Sequence, residues 1–272
     1  MHTPLPPIDH LLGIGLHAVA LAEAHLLTHP PTTITDKSAK DPVTDVDIAI
    51  EHLIRDRLHQ AIPQVAFLGE EEGGNPDAPT LWVLDPVDGT VNYHRGLPLC
   101  GISLALIHHG RAVLGIICLP MLNHRYWAAD GHGAWRDGAP IAASTTTDMD
   151  QAIVAVGDYG FGDDVADHND ASFALHQHLA ASARRVRMLG SAAVDLALVA
   201  DGTLDASLTL SNNLWDMAAG SVIAREAGAL VIDHDGSAHG PTSQMTIATT
   251  PALREPILAA TRQATDGILL RT

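Results

Sequence analysis

The stretch WVLDPVDGTVNYH, Trp82 to His94, sets the problem. An apolar run, Leu81 to Leu84, ends on Asp85, and a second carboxylate, Asp88, follows three residues later. So apolar a run reads as a buried strand, and Asp85 then emerges from the core rather than from a loop. Pro86 fixes the backbone between the two acids, so that Asp88 can return to the side Asp85 occupies. Two carboxylates held close repel each other, and a fold keeps them only around something positive. A hard, oxygen-seeking cation such as Mg²⁺ suits the pair. Gly89 and Thr90 follow at once, and backbone N–H groups left open by a glycine hold a phosphate well. Metal carboxylates beside a phosphate cradle imply metal-assisted phosphoryl chemistry.

Outward from this stretch the first half reads as helices followed by an antiparallel meander. An apolar helix from Ile8 to Leu27 ends before Pro30 and Pro31. A polar loop, TDKSAKDPVTDVD, leads to a second helix. Thr44 is its N-cap, and Val46, Ile50, Leu53, Ile54 and Leu58 carry the helical spacing. VAFLGEEEGG is a short strand running into an acidic turn. CGISLALIHHGRAVLGIICLP is two strands joined at His109-Gly110, and HRYWAAD is a third. In the second half strands and helices alternate in an α/β pattern: AIVAVGD, a helix from His168 to Ala183, RRVRML, SAAVDLALVADG, LDASLTL, LWDMAAGSVIAREAG and ALVID. The Ser/Thr-rich stretch Ala143 to Thr147 is the candidate boundary, giving an N-terminal lobe of residues 1–142 and a C-terminal lobe of residues 143–272.

Composition narrows the partners. The formal net charge of −17 repels nucleic-acid phosphates and anionic membranes, so neither is an expected partner, and it favours divalent cations. The two cysteines, Cys100 and Cys118, lie in apolar runs and read as buried reduced thiols. The apolar N-terminal helix is interrupted by His10, His17, Glu23 and His25, which suits a buried or amphipathic helix better than a membrane span. No basic n-region or small-residue cleavage site precedes it, and the expected location is the cytoplasm. The 17 histidines invite a zinc reading, but His176 and His178 are two apart on a helix and point to different faces.

Acids stand at element ends in four stretches: Asp47 after PVTDV, Glu70 and Glu71 in LGEEE, Asp85 and Asp88, and Asp216 in NNLWDMAAG. Each alone has an ordinary explanation, since Asp caps helices and charge runs face solvent. Together they resemble the ordered motifs of the inositol monophosphatase family, lithium-sensitive and Mg²⁺-dependent phosphatases. WVLDPVDGTVNY resembles its first signature and WDMAAGSVIAREAGA, Trp215 to Ala229, its second. LGEEEGG, DPVTDVD and GSAAVDLALVADGTLDA match further segments in order, from Thr35 to Ile232.

The resemblance implies an α+β fold, a layered αβαβα sandwich, and hydrolysis of a small phosphate monoester. It implies that Glu70, Asp85 and the carbonyl of Val87 hold one Mg²⁺, that Asp85, Asp88 and Asp216 hold a second, and that a third, weaker ion sits near Glu70. It implies that Gly89 and Thr90 bind the phosphate, with Gly190 and Ser191 at the substrate. Thr90 and Asp47 are implied to orient and deprotonate the attacking water, and Glu71 to support from behind. Asp45 is closer in sequence to Thr44, but Asp47 matches the motif. Family habit adds a homodimer and Li⁺ inhibition. The match departs at one position. Seven residues before the aspartate of the WD pair the family has a glutamate that contacts inositol hydroxyls; here it is Thr209. The loop before Asp41, with Lys37 and Lys40, also differs, which bears on the third ion and on Li⁺. Inositol or sugar phosphates are the expected substrates. Histidinol phosphate, fructose 1,6-bisphosphate and 3′-phosphoadenosine phosphates are the alternatives, and a regulatory binding protein is the rival from another class.

Overall fold

The computed structural model describes residues 6–38, 41–161 and 165–265. The chain runs through α1 (Ile8–Thr28), β1 (Ile34–Ser38), β2 (Asp41–Thr44), α2 (Asp45–Ala61), β3 (Ala66–Gly69), β4 (Gly73–Gly74), β5 (Thr80–Asp88), α3 (Thr90–His94), β6 (Gly101–His108), β7 (Arg111–Leu119), β8 (His124–Ala129), β9 (Ala134–Arg136) and β10 (Ala139–Ile141). It continues through β11 (Ile153–Val156), α4 (Ala166–Ser182), β12 (Arg185–Arg187), α5 (Ala192–Ala200), β13 (Ala206–Thr209), α6 (Leu214–Glu226), β14 (Leu230–Ile232), β15 (Thr246–Thr249) and α7 (Arg254–Thr265).

Two sheets order these elements into five layers. The large sheet has eight strands in the order β10-β9-β8-β7-β6-β5-β3-β4, the small one five in the order β12-β11-β13-β15-β14. Helices α1 and α2 cover the outer face of the large sheet, where Leu11, Val19, Ile50 and Ile54 pack on Trp82, Leu104 and Ile116. Helices α5 and α6 fill the space between the sheets, with Val194, Ala197, Ala219 and Ile223 against Val83, Ile117 and Ala155. Helices α4 and α7 close the far side through Leu175, Leu179 and Ile257. The result is the αβαβα sandwich expected.

The local reasons are in the sequence. In α1 the buried positions Leu11, Leu12, Gly15, Ala18, Val19, Ala22 and Leu26 recur at helical spacing. By length and composition α1 could cross a membrane; here that face lies on the sheet. Thr44 caps α2 in a reciprocal capping box with Asp47. At the β6–β7 turn His109 and Gly110 both take positive φ, 49° and 75°, as a tight hairpin whose twist matches its strands requires.

Three expectations change. The stretch expected as a polar loop after α1 contains a hairpin, β1–β2, whose antiparallel pairs join Ile34 to Thr44 and Asp36 to Pro42. Its residues lack apolar alternation, so backbone pairing alone makes the strands. The meander is not wholly antiparallel, because β3 and β5 run parallel. In the second half β15 pairs antiparallel with both β13 and β14, which departs from simple α/β alternation. Lys40 lies outside the described residues.

Candidate active site

The register of β5 against β6 explains the two acids. Asp85 pairs with Ser103, but Asp88 pairs with Gly101, so three steps along β5 match two along β6. Residues three apart in a regular strand face opposite sides. The one extra residue is a bulge, and it restores both carboxylates to the same side. Pro86 sits in the bulge, where no ladder N–H is demanded of it. Next door, β3 runs parallel to β5 with Gly69 opposite Leu84, and the Glu70 amide continues the ladder to the Leu84 carbonyl at 3.1 Å. Glu70 therefore arrives beside Asp85. Asp216 comes from the first turn of α6.

These residues line one cleft of about 380 Å³. Glu70, Asp85, Val87, Asp88, Gly89, Thr90, Gly190 and Asp216 are on its wall, joined by Asp41, Pro42, Val91, Asp158, Tyr159 and Phe161. Asp85 is buried and is pushed well above the usual carboxylate range, first by desolvation, then by the charges of Glu70, Asp88 and Asp216. Asp216 is raised well above that range for the same reasons, with Asp88 and Glu70 as its repelling neighbours. Burial takes Asp88 to about 6, although the Ala193 amide and the Ser191 hydroxyl, at 2.9 Å, hold its Oδ2. Asp88 thus sits at the start of α5, which Ser191 caps.

The arrangement fits hard divalent cations. The donor set is all oxygen, and the acids raise one another as a site built around positive charge would. Among the described residues no three His, Cys, Asp or Glu side chains form a closed metal cage. Each acid is instead turned to a protein donor through one oxygen: Glu70 to Lys37 at 2.7 Å, Asp85 to the Val87 amide at 2.9 Å, Asp88 to Ser191 and Ala193, and Asp216 to Asn213 at 3.0 Å.

On the other side of Thr90 stands Asp47, buried at the start of α2. Its Oδ2 accepts from the Thr44 amide at 2.9 Å and from the Thr44 hydroxyl, and its Oδ1 accepts from Thr90 at 3.1 Å. Burial nevertheless raises its carboxyl above the usual range. Asp45 faces away, accepting from the Thr32 and Thr33 amides at 3.0 and 3.2 Å.

A family model for the inositol monophosphatases matches residues 12–266.

The chain belongs to the inositol monophosphatase family. Its members are phosphoric monoester hydrolases that act on inositol and sugar phosphates. The chain is 36% identical over 209 residues to the Nus factor SuhB of Pseudomonas aeruginosa, covering 75% of this chain and 77% of that one. It is 31% identical over 229 residues to the fructose-1,6-bisphosphatase/inositol-1-monophosphatase of Thermotoga maritima, with 84% and 86% covered. A solved Thermotoga maritima inositol monophosphatase superposes with a TM-score of 0.87 at 28% identity, covering 96% of this chain and 100% of that one.

Three residues stand apart from the sequence reading. Thr209 ends β13 opposite Thr246 and lies beside Gly157, where an added Cβ would meet its Cγ2 at 3.0 Å. It is not among the cleft-lining residues. Asp158, the residue after Gly157, is, and burial raises its carboxyl. Nothing in the spacing around Asp158 marks it. Glu51 was also missed: fully buried in α2, it accepts the Glu71 and Glu72 amides at 2.9 and 3.0 Å and pairs with Arg55 at 2.6 Å, which fixes the acidic turn. The i, i+4 spacing of Glu51 and Arg55 is the signal that could have found it.

Proposed function

We propose that this protein hydrolyses a small polyol or sugar phosphate monoester with Mg²⁺, and that inositol 1-phosphate is among its substrates. The observation that carries the reading is the bulge that turns Asp85 and Asp88 to one side, beside Glu70 and Asp216, with Gly89 and Thr90 next in the chain. Glu70, Asp85 and the Val87 carbonyl would hold one ion, Asp85, Asp88 and Asp216 a second, with room near Glu70 for a third. When bound, Mg²⁺ supplies charge neutralisation at the phosphate and at the departing oxygen. Gly89 and Thr90 hold the phosphate. Thr90 takes a proton from the attacking water as it gives its own to Asp47, whose burial makes it the stronger base. Ser191 acts from behind by fixing Asp88, and Gly190 shapes the wall. Asp158 receives a hydroxyl of the leaving group, and Thr209 supports it through Gly157.

The lobes of residues 1–142 and 143–272 contribute the metal wall and the leaving-group wall respectively, except for Asp216. The buried free thiols of Cys100 and Cys118 suit a reducing cytoplasm, and a homodimer is the expected assembly. Li⁺ should inhibit by competing for a Mg²⁺ position.

The test is phosphate release from inositol 1-phosphate, fructose 1,6-bisphosphate, histidinol phosphate and a 3′-phosphoadenosine phosphate, with Mg²⁺ and with EDTA. Turnover of inositol 1-phosphate that vanishes in EDTA is expected; no release from any of the four would overturn the reading. A regulatory binding role is the second reading, favoured by the 36% identity to a Nus factor. Asp85→Asn separates the two, since a binding role survives loss of turnover.

A further inference from the structure

Helix α6 closes a second cavity, away from the cleft that Asp216 enters. It holds about 180 Å³, between α6, the β6–β7 turn and residues 239–241. Positions 214, 217/218, 221 and 225 form one stripe along α6, so they share the face that looks into it. The first part of that stripe, Leu214, Met217 and Ala218, is apolar, and Ile107 and Pro241 complete the apolar wall. The last part is polar. Ser221 is 2% exposed, and its hydroxyl has no hydrogen-bond partner. Buried polar groups are normally satisfied, so a bare hydroxyl facing a cavity calls for an occupant.

Arg225 follows one turn later. It donates to the Ala112 carbonyl at 2.9 Å, and among the described residues it makes no ion pair with a carboxylate. Burial lowers the guanidinium from its usual range; Asp130 and Glu226 oppose that, and Arg111 adds to it. Arg111 lines the same cavity and pairs with Asp130 at 3.1 Å. A chain of net charge −17 has here placed two guanidiniums around one small apolar space.

We propose that this cavity binds a small apolar monocarboxylate, its carboxylate received by Arg225 and the Ser221 hydroxyl and its apolar part by Met217, Leu214 and Ile107. A carboxylate accepts what both groups have spare: several guanidinium N–H donors and one hydroxyl proton. Size sets the scale of the apolar part. An apolar cavity of about 150 Å³ takes up benzene, so benzoate is a suitable probe for this one. Because Asp216 precedes Met217 on the same helix, occupation of the cavity bears on the position of a residue in the catalytic cleft. The site lies outside the catalytic cleft and does not require the phosphatase reading.

The experiment is titration calorimetry of the full chain with benzoate, with its neutral isostere benzamide and with inorganic phosphate. Saturable binding of benzoate is expected, with benzamide about tenfold or more weaker for want of a charged partner. Arg225→Gln and Ala218→Leu, the second of which fills the cavity, should each weaken benzoate by a similar factor. Should Arg225→Gln fail to fold by circular dichroism, Ala218→Leu and the benzamide comparison still decide. No binding of benzoate to the wild type, benzamide binding as tightly as benzoate, phosphate displacing benzoate at equal concentration, or wild-type affinity in either folded variant would overturn the proposal.

Discussion

The carboxylate of Asp47 and the hydroxyl of Thr90, 43 residues apart in the chain, lie 3.1 Å apart, and the same hydroxyl stands 2.9 Å from the Val87 carbonyl. One proton thus has two acceptors. A cation held by the Val87 carbonyl would leave Asp47 as the better acceptor for the Thr90 proton. Asp47→Asn should accordingly lower kcat by about 10²- to 10⁴-fold, the range for general-base assistance, with KM little changed. Steady-state kinetics on inositol 1-phosphate checks this; a raised KM with intact kcat would instead make Asp47 a binding residue.

Asp85 is the most crowded of the acids, with Glu70, Asp88 and Asp216 all repelling it. Asp85→Asn removes the centre of that repulsion. Turnover should fall by at least about 10²-fold, while the melting temperature in EDTA should rise, because a neutral amide no longer has to be kept beside three acids. Mg²⁺ should raise the melting temperature of the wild type, by about 2.7 kcal/mol of stability at a hundred times its dissociation constant, and that of the variant much less. Thermal melts with EDTA and with Mg²⁺ decide. A variant that works at the wild-type rate contradicts the metal assignment.

Lys37 bridges Glu70 at 2.7 Å and Glu71 at 3.0 Å, and its ammonium would compete with any cation held by Glu70. Burial alone would lower the Lys37 pKa, but the two glutamates raise it, and burial lifts Glu71 to about 7. Lys37→Met should therefore lower the half-saturating Mg²⁺ concentration. The pair is partly exposed, so the shift should be modest, about two- to fivefold. Activity titrated against Mg²⁺ reads it directly, and an unchanged midpoint removes Lys37 from the site.

Much of this was legible because chemistry and periodicity coincided. The apolar run into Asp85, the cap at Thr44 and the stripe along α1 each report a strong local cause. What stayed hidden depended on register. No propensity announces that β5 carries one residue too many opposite Ser103 and Gly101, although Pro86 hinted at it. The β1–β2 hairpin was hidden because its side chains do not alternate, and Asp158 because its neighbour Gly157, not its own spacing, determines where it stands. Counting seven residues back from Asp216 led to Thr209, since a count along the chain cannot see that β13 ends there against Gly157.

Helix α6 reaches its place by touching β7 backbone to backbone. A Cβ on Gly115 would lie 2.3 Å from the Ala219 carbonyl oxygen. Gly115→Ala must push α6, and Asp216 with it, off the sheet. Overpacking of this kind costs about 1–3 kcal/mol. Urea unfolding should show that loss, and the half-saturating Mg²⁺ concentration should rise. A stable variant with an unchanged Mg²⁺ midpoint would mean that α6 can shift without moving Asp216.

Acid should weaken the fold through His239. Its Nε2 lies 3.0 Å from Asn212 Oδ1 and 2.9 Å from Thr246 Oγ1, and burial takes its pKa to about 4, with Asp233 opposing and Arg225 assisting. The folded imidazole is thus harder to protonate than the unfolded one, whose ordinary value is 6.5. Between these values the unfolded chain binds the extra proton, so stability present above pH 6.5 is lost as the pH falls toward 4. Between pH 7 and pH 5 the loss should be about 2 kcal/mol. His239→Gln should lack this part of the pH dependence, and urea midpoints of both proteins at the two pH values measure the difference.

The extra residue in β5 makes the acid wall a matter of pairing. A substitution at Pro86 or Val87 leaves the count along the strand untouched, and both acids stay on the same side. Deleting either one leaves the acids two apart in regular pairing, where they still share a side. A slip that keeps all three steps but pairs Asp88 one residue further along β6 would turn Asp88 to the opposite side and separate it from Asp85, with every side chain of the site still present in the sequence. The wall that holds Asp158, Tyr159 and Phe161 is not bound by this arithmetic. A lineage of such enzymes can therefore exchange what it recognises one residue at a time, while the offset of β5 against β6 between Asp85 and Asp88 has to pass down whole.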